Sequence, residues 1–94
     1  MIKHVVCFKL NEGESPLKAK EVLLSMIGNV PTAKSIQVHI NELKSPRNYD
    51  VMLEVILDDF AALDVYQQDE YHCFGVKKYL QAVTKKSIAM DFTL

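Results

Sequence analysis

The segment from Ile2 to Leu10 limits the possible folds of this chain more than any other feature. Successive side chains of a β-strand point to opposite faces, and here both faces are apolar at their centre. A strand of this kind predicts a central position in a sheet that is covered on both sides. One face would carry Ile2, His4, Val6, Phe8 and Leu10, and the other Lys3, Val5, Cys7 and Lys9.

The length of the chain decides how such a strand can be covered. With 94 residues the chain is large enough for one domain and too small for two. Hydrophobic residues make up 49% of it, which is enough to build one core. A domain of this size hides only about 60–65% of its unfolded surface, so a strand that is apolar on both faces needs an additional cover. We therefore predict a single domain over residues 1–94 and a second copy as its cover.

Turn residues and hydrophobic periodicity divide the rest of the chain into elements. Ser15 and Pro16 are typical of a helix start, and Gly28 with Pro31 predicts that this helix ends near residue 28. Asp58 or Asp59 can cap a second, short helix. The remaining predicted elements are strands from Ser35 to Glu42, Tyr49 to Leu57 and Lys85 to Leu94, the short helix around Phe60 to Tyr66, and a helical stretch from about Glu70 to Val83.

The element order β-α-β-β-α-β predicts a ferredoxin-like α+β fold with an antiparallel sheet of strand order 4-1-3-2. The first and third strands are the two with apolar residues on both faces, as central strands in that order would be. Both helical regions cover the same face of such a sheet. The other face stays apolar and open, which favours a homodimer with the two sheets face to face.

Charge and cysteine content exclude several classes of protein. Eleven basic and twelve acidic residues give a net charge of −1, so neither nucleic acid nor a membrane surface is an expected partner. Lys77, Lys78, Lys85 and Lys86 cluster late in the chain, but acidic residues lie nearby in sequence, which favours a solvated face. The two cysteines, Cys7 and Cys73, fit neither a disulfide framework nor a metal site and are interpreted as buried apolar residues. No metal and no cofactor is predicted, and the expected location is the cytoplasm.

The candidate site consists of titratable groups in apolar surroundings. His4 shares its strand face with Val6 and Phe8, so its imidazole would either project into an apolar, ligand-binding hollow or be buried with a single hydrogen bond. Tyr66 and His72 flank the joint between the later helical segments, and such a pair could polarise a carbonyl and move a proton. Equally, Tyr66 would be a core aromatic and His72 a solvated residue of a helix start. Asp69 is interpreted as a helix cap, and His39 as a surface residue.

Several stretches of the sequence resemble one known family across almost the whole chain. The opening strand has a histidine near its start and Phe8-Lys9 near its end, and Val30-Pro31 closes the first helix. A predicted helix that contains Leu63 and Tyr66 precedes His72. The segment Asp69-Glu70-Tyr71-His72 differs from the His-Pro-x-His that is usual in this family. The chain thus resembles the stress-responsive A/B barrel domain (Dabb) family of dimeric α+β barrel proteins. Further matches are Tyr49-Asp50 and Asp91-Phe92.

The resemblance implies a homodimer that encloses a barrel, with the first-strand histidine facing the cavity. One enzymatic branch of the family, the plant polyketide cyclase type of olivetolic acid cyclase, uses a tyrosine and a histidine on the later helix for an intramolecular aldol condensation. Tyr66 and His72 match that pair in identity and spacing. By this resemblance His72 would be the general base, Tyr66 would bind the reacting carbonyl, and His4 would line the pocket.

Three functions remain open at the level of the sequence. The first is a homodimer whose apolar cavity binds a small aromatic or carbonyl ligand, with proton-transfer chemistry of the cyclase or lyase type. The second is a cofactor-independent oxygenase or a haem-degrading type of enzyme, although the chain contains no tryptophan. The third is a non-catalytic structural or stress-interaction domain. Whether the protein is an enzyme is therefore not decided by the sequence.

Overall fold

The computed structural model describes all 94 residues, from Met1 to Leu94. The element order is that predicted from the sequence, except that the last helical region consists of a π-helix followed by a short α-helix. The elements are β1 (Ile2–Leu10), α1 (Pro16–Leu24), β2 (Ser35–Ile40), β3 (Val51–Leu57), α2 (Phe60–Gln68), the π-helix (Tyr71–Lys77), α3 (Lys78–Val83) and β4 (Thr84–Thr93).

The four strands form one antiparallel sheet in the order β2-β3-β1-β4. This is the predicted order 4-1-3-2, with the two-sided strands β1 and β3 at the centre, and it confirms the ferredoxin-like fold class. The register places His4 between Val55 on β3 and Asp91 on β4. Residues that pair across strands point to the same face of a sheet, so the register decides which side chains meet.

The first helix ends earlier than its sequence predicts, at Leu24 and not near residue 28. After Leu24 the chain tightens into shorter-range bonds, because Met26 N donates to Leu23 O at 3.2 Å and Ile27 N to Leu24 O at 3.0 Å. Gly28 then adopts a φ of 82°, in the left-handed region expected of a glycine beyond a helix end. The predicted glycine signal was correct, but it marks the end of this turn and not of the helix.

The helices cover one face of the sheet and build the core there. Ala19, Leu23 and Met26 are almost fully buried beneath that face, as is Tyr66 of α2. A core of this kind supplies most of the stability of a small domain. The buried apolar cluster comprises Ile2, Leu10, Ala19, Leu23, Met26, Val30, Val38, Val51, Leu53, Val55, Leu57, Tyr66, Val76, Leu80 and Val83.

No element of the chain covers the opposite face of the sheet. Ile88, Met90 and Phe92 of β4 pair with the open-face residues of β1 and are 53%, 67% and 39% exposed. Their neighbours Val5 and Cys7 on β1 are half-buried. Cys7 is therefore not the buried residue that its apolar surroundings predicted, because its side of β1 has no helix over it. Contiguous apolar exposure of this kind marks interaction surfaces.

The N-cap of α2 gives a first testable prediction. The Asp59 carboxylate accepts a hydrogen bond from Ala62 N at 2.8 Å, which resolves the choice between Asp58 and Asp59. Asp59→Ala is expected to lower the free energy of unfolding by about 1 kcal/mol, measured by urea denaturation. Asp58→Ala is the control, because Asp58 only forms an exposed ion pair with Lys34 and its loss should cost about 0.3 kcal/mol. Equal losses in the two variants would contradict the capping role.

Candidate functional site

A cavity of about 470 Å³ lies between the helix-covered face of the sheet and the later helical segments. All five residues predicted from the sequence to form a site, His4, Val6, Phe8, Tyr66 and His72, line it. Cavities of about 300–1,000 Å³ with mostly apolar walls and a few polar groups are typical of small-molecule sites. The structure therefore brings the predicted residues together around one space of suitable size.

His4 lies on β1 and is only 6% exposed. Its Nδ1 is 2.5 Å from Oδ1 of Asp91, which the β1–β4 register places directly opposite. A carboxylate accepts hydrogen bonds and does not donate them, so Nδ1 of His4 carries the proton. This fixes the tautomer and the orientation of the ring, and leaves Nε2 as the acceptor when the ring is neutral.

His4 lies on the helix-covered face of the sheet, together with the core residues Ile2 and Leu10. The cavity that it lines is formed by residues from the sheet and helices of a single chain.

Tyr66 is fully buried and links the two histidines. Its ring meets that of His4 edge-on at a centroid distance of 5.8 Å and stacks on that of His72 at 4.4 Å. The hydroxyl donates to Sδ of Met26 at 3.7 Å, and a thioether is a weak acceptor. Burial, assisted by the negative charge of Asp69, raises the pKa of Tyr66, so the phenol keeps its proton and acts as a donor.

His72 combines burial with an unused ring nitrogen. Its Nδ1 is buried and has no hydrogen-bond partner. Burial lowers the pKa of His72, and the positive charges of Lys77 and His4 act in the same direction, while Asp69 and the Tyr66 carbonyl oppose them. The lowered pKa favours the neutral imidazole, the form that can accept a proton near pH 7. Asp69 also accepts a hydrogen bond from His72 N at 3.0 Å, so it anchors the start of the π-helix as a cap.

The π-helix determines which residues share the side of His72, and nothing in the sequence predicted it. In an α-helix, two residues that are five positions apart in sequence lie about 140° apart around the helix axis. In a π-helix the main chain bonds from residue i to residue i+5, so His72 and Lys77 come to lie near one another. Both line the cavity. π-helical turns are frequent at functional sites, and this one gives the site a cation that α-helical periodicity would direct elsewhere.

The cavity has an apolar interior and a polar mouth. Lys77 and Lys85, which the sequence assigned to a solvated face, are exposed but also line the cavity. Thr84 Oγ1 is buried there without a hydrogen-bond partner. The buried apolar wall consists of Leu23, Leu53, Val76 and Leu80, and the exposed polar residues besides the two lysines include Gln67, Gln81 and Ser87.

The third histidine and the two cysteines lie outside this site. His39 is on β2, bonds Glu54 on the open face at 3.2 Å, and is exposed as predicted. Cys73 is half-buried and its thiol donates to the Gln67 carbonyl at 3.1 Å, so it is not the buried apolar residue predicted from its neighbours. No group of three or more histidine, cysteine or acidic residues is arranged to hold a metal ion. None of the helices has the length and apolar character needed to cross a membrane.

The fold and the site together define the class as a ferredoxin-like α+β protein with a cavity between sheet and helices. A dimeric protein of unknown function from Bacteroides fragilis has the same fold, with a TM-score of 0.82 at 19% identity over 99% of this chain and 95% of its own. A Dabb family protein from Mesorhizobium loti gives 0.75 at 18% identity over 99% and 95%. An antibiotic biosynthesis monooxygenase gives 0.79 at 14% identity over 100% and 98%.

The family itself is defined by sequence. The model of the stress responsive A/B barrel domain, Dabb, matches residues 2–94, and this chain belongs to that family. No curated protein matches the chain. At these low identities the structural neighbours show the shared fold alone, and a shared fold does not establish a shared reaction.

Proposed function

We propose that the protein is a homodimer in which each chain binds a small aromatic or carbonyl compound in its own cavity and catalyses proton transfer on it. The observation that carries this proposal is the meeting of His4, Tyr66 and His72 around one cavity of about 470 Å³. His72 lines this cavity, and burial lowers its pKa, which favours the neutral imidazole that can act as a base.

The proposed step is removal of a proton from the carbon next to a carbonyl group. The C–H bond breaks, the proton passes to neutral His72, and the electron pair moves to the carbonyl oxygen. Tyr66 would donate a hydrogen bond to this oxygen and stabilise its negative charge, exchanging the weak Met26 sulfur for a better acceptor. His4, oriented by Asp91, would line the pocket and fix the ligand beside this pair.

The homodimer is supported by the open face of the sheet. Two of the structural neighbours, from Bacteroides fragilis and Thermobifida fusca, are described as dimeric ferredoxin-like proteins. In this chain the exposed residues of β4 leave an apolar surface that a second copy would cover, with the two cavities remaining on the outer, helical sides.

Deuterium exchange at the α-carbon of 2-tetralone, a bicyclic aromatic ketone, tests the catalytic proposal. In D₂O the wild-type protein is expected to accelerate loss of the α-proton NMR signals over free imidazole at equal concentration. Ala89→Trp provides the matched block, because Ala89 is exposed yet lines the cavity, so a large side chain there should fill the site without disturbing the core. An unaccelerated wild type, or equal rates in the folded variant, would contradict the proposal.

Cofactor-independent oxygenation is a second candidate, favoured by the structural likeness to an antibiotic biosynthesis monooxygenase. Such a reaction could begin with the same deprotonation, after which the carbanion would react with dioxygen. Oxygen consumption recorded during the exchange experiment distinguishes the two, because proton exchange and aldol chemistry consume none.

A further inference from the structure

The mouth of the cavity is positively charged and contains no acidic residue. Lys77 and Lys85 both line it, and neither forms an ion pair. The acidic residues near them in sequence, Asp64, Asp69 and Glu70, do not line the cavity. The acidic residues that lie near these lysines in sequence therefore do not neutralise them at the mouth of the cavity.

Two different elements bring the two lysines to the same opening. Lys77 is the last residue of the π-helix, whose bonding pattern directs it to the side of His72. Lys85 follows Thr84 at the start of β4, beside the irregularity at Lys9 and Leu10 where the β1–β4 register shifts. Each position thus depends on a departure from regular secondary structure, and such departures are frequent at binding sites.

The surroundings of the lysines are suited to an anion. Thr84 Oγ1 is buried beside Lys85 in sequence, lines the cavity and has no hydrogen-bond partner. The positive charge of Lys77 also lowers the pKa of His72, so its ammonium acts electrostatically on the interior of the site. Lys86 borders the cavity as well, but its ammonium lies over the Tyr49 ring, 5.6 Å from the centroid.

We propose that the ligand of this cavity is an organic anion with an apolar body. The body would occupy the interior against Leu53, Val76 and Leu80, and a carboxylate or phosphate group would lie at the mouth between Lys77 and Lys85. This inference rests on the proposed binding function and adds the charge and orientation of the ligand. An anion there would pair with two ammonium groups that have no acidic partner and would use the Thr84 hydroxyl.

Three probes with one ring system test the inference. Naphthalene-2-carboxylate, 2-naphthyl phosphate and the neutral methyl naphthalene-2-carboxylate would be titrated into the ¹⁵N-labelled full chain, with Kd taken from amide shifts at the cavity. Wild type is expected to bind the anions roughly tenfold more tightly than the ester, and this preference should fade near 1 M salt, where the screening length is about 3 Å. Lys77→Gln with Lys85→Gln should remove the preference, so that the anions bind no more tightly than the ester.

The control double variant is Lys44→Gln with Lys78→Gln. It makes the same change in net charge at exposed lysines that do not line the cavity, and it should keep the wild-type preference. Equal affinity of wild type for ester and anions, or an unchanged preference in the Lys77/Lys85 variant, would overturn the inference while leaving ligand binding intact. Binding of none of the three probes would overturn the proposed function together with it. Whichever of the two anions has the lower Kd identifies the preferred head group, carboxylate or phosphate.

Discussion

Replacing Met90 with aspartate is expected to convert the protein from a homodimer to a monomer. Met90 is 67% exposed on the open face of the sheet, with Ile88 and Phe92 on either side of it along β4. Stable interfaces bury about 1,200–2,000 Å² in total, and a carboxylate buried within one without a partner costs several kcal/mol. Light scattering coupled to size exclusion at micromolar concentration would show the molecular mass halved relative to wild type.

The control for this prediction is Leu17→Asp. Leu17 is 58% exposed on α1, which packs on the other face of the sheet, so the same type of substitution there should leave the dimer intact. Both side chains lie outside the core, so circular dichroism should show the wild-type fold in both variants. A monomeric wild type would contradict the homodimer, and a dimeric Met90→Asp variant would place the interface elsewhere.

The strand order could be predicted because it depends on apolar surface that the sequence displays directly. Val5 and Cys7 make β1 apolar on its second face, and that pattern alone marked it as central. The same reasoning identified the open face that favours a partner. Which residues a partner covers depends on both chains. The periodicity of one chain therefore predicts only that an apolar surface is exposed.

The pairing of His4 with Asp91 shows what the sequence did not reveal about the site. Asp91 stood out only as the acidic residue before Phe92, and it was not among the predicted site residues. The two residues meet because β1 and β4 pair in one register, and a shift by a single residue would place them on opposite faces. A cross-strand alignment of the predicted β1 and β4 was the signal that would have found it.

The charged mouth was missed for a different reason. Lys77 and Lys85 were assigned to solvent because acidic residues lie close in sequence, but proximity along the chain is not proximity in space. The π-helix shifts Lys77 toward His72, and no pattern in this sequence distinguishes a π-helical turn from an α-helical one. The positions of His72 and Tyr66 in the fold were easier to predict, because both residues lie in helical segments whose place in the element order follows from the sequence.

The pH dependence of the proposed reaction has a definite sign. Burial and the charge of Lys77 lower the pKa of His72 below its ordinary value of 6.5, so the acid limb of the exchange rate should have its midpoint below pH 6.5. Between the folded and unfolded pKa values the unfolded chain binds more protons. The contribution of neutral His72 to stability is therefore complete above pH 6.5 and is lost as the pH falls toward the folded value.

Replacing His72 with asparagine should therefore remove both the reaction and this acid sensitivity. A positioned general base contributes about 10²–10⁴-fold to a rate, so His72→Asn is expected to slow α-proton exchange of 2-tetralone by that factor and to abolish the acid limb assigned to His72. His39→Asn is the matched control, because His39 is exposed on the opposite face and should leave rate and profile unchanged. An undiminished rate in a folded His72→Asn protein would assign the base to another residue.

The variant Lys77→Gln tests the electrostatic part of this argument. Removing the positive charge of Lys77 should raise the pKa of His72, because the neutral imidazole is then less favoured. The acid limb of the otherwise wild-type protein should therefore move toward higher pH.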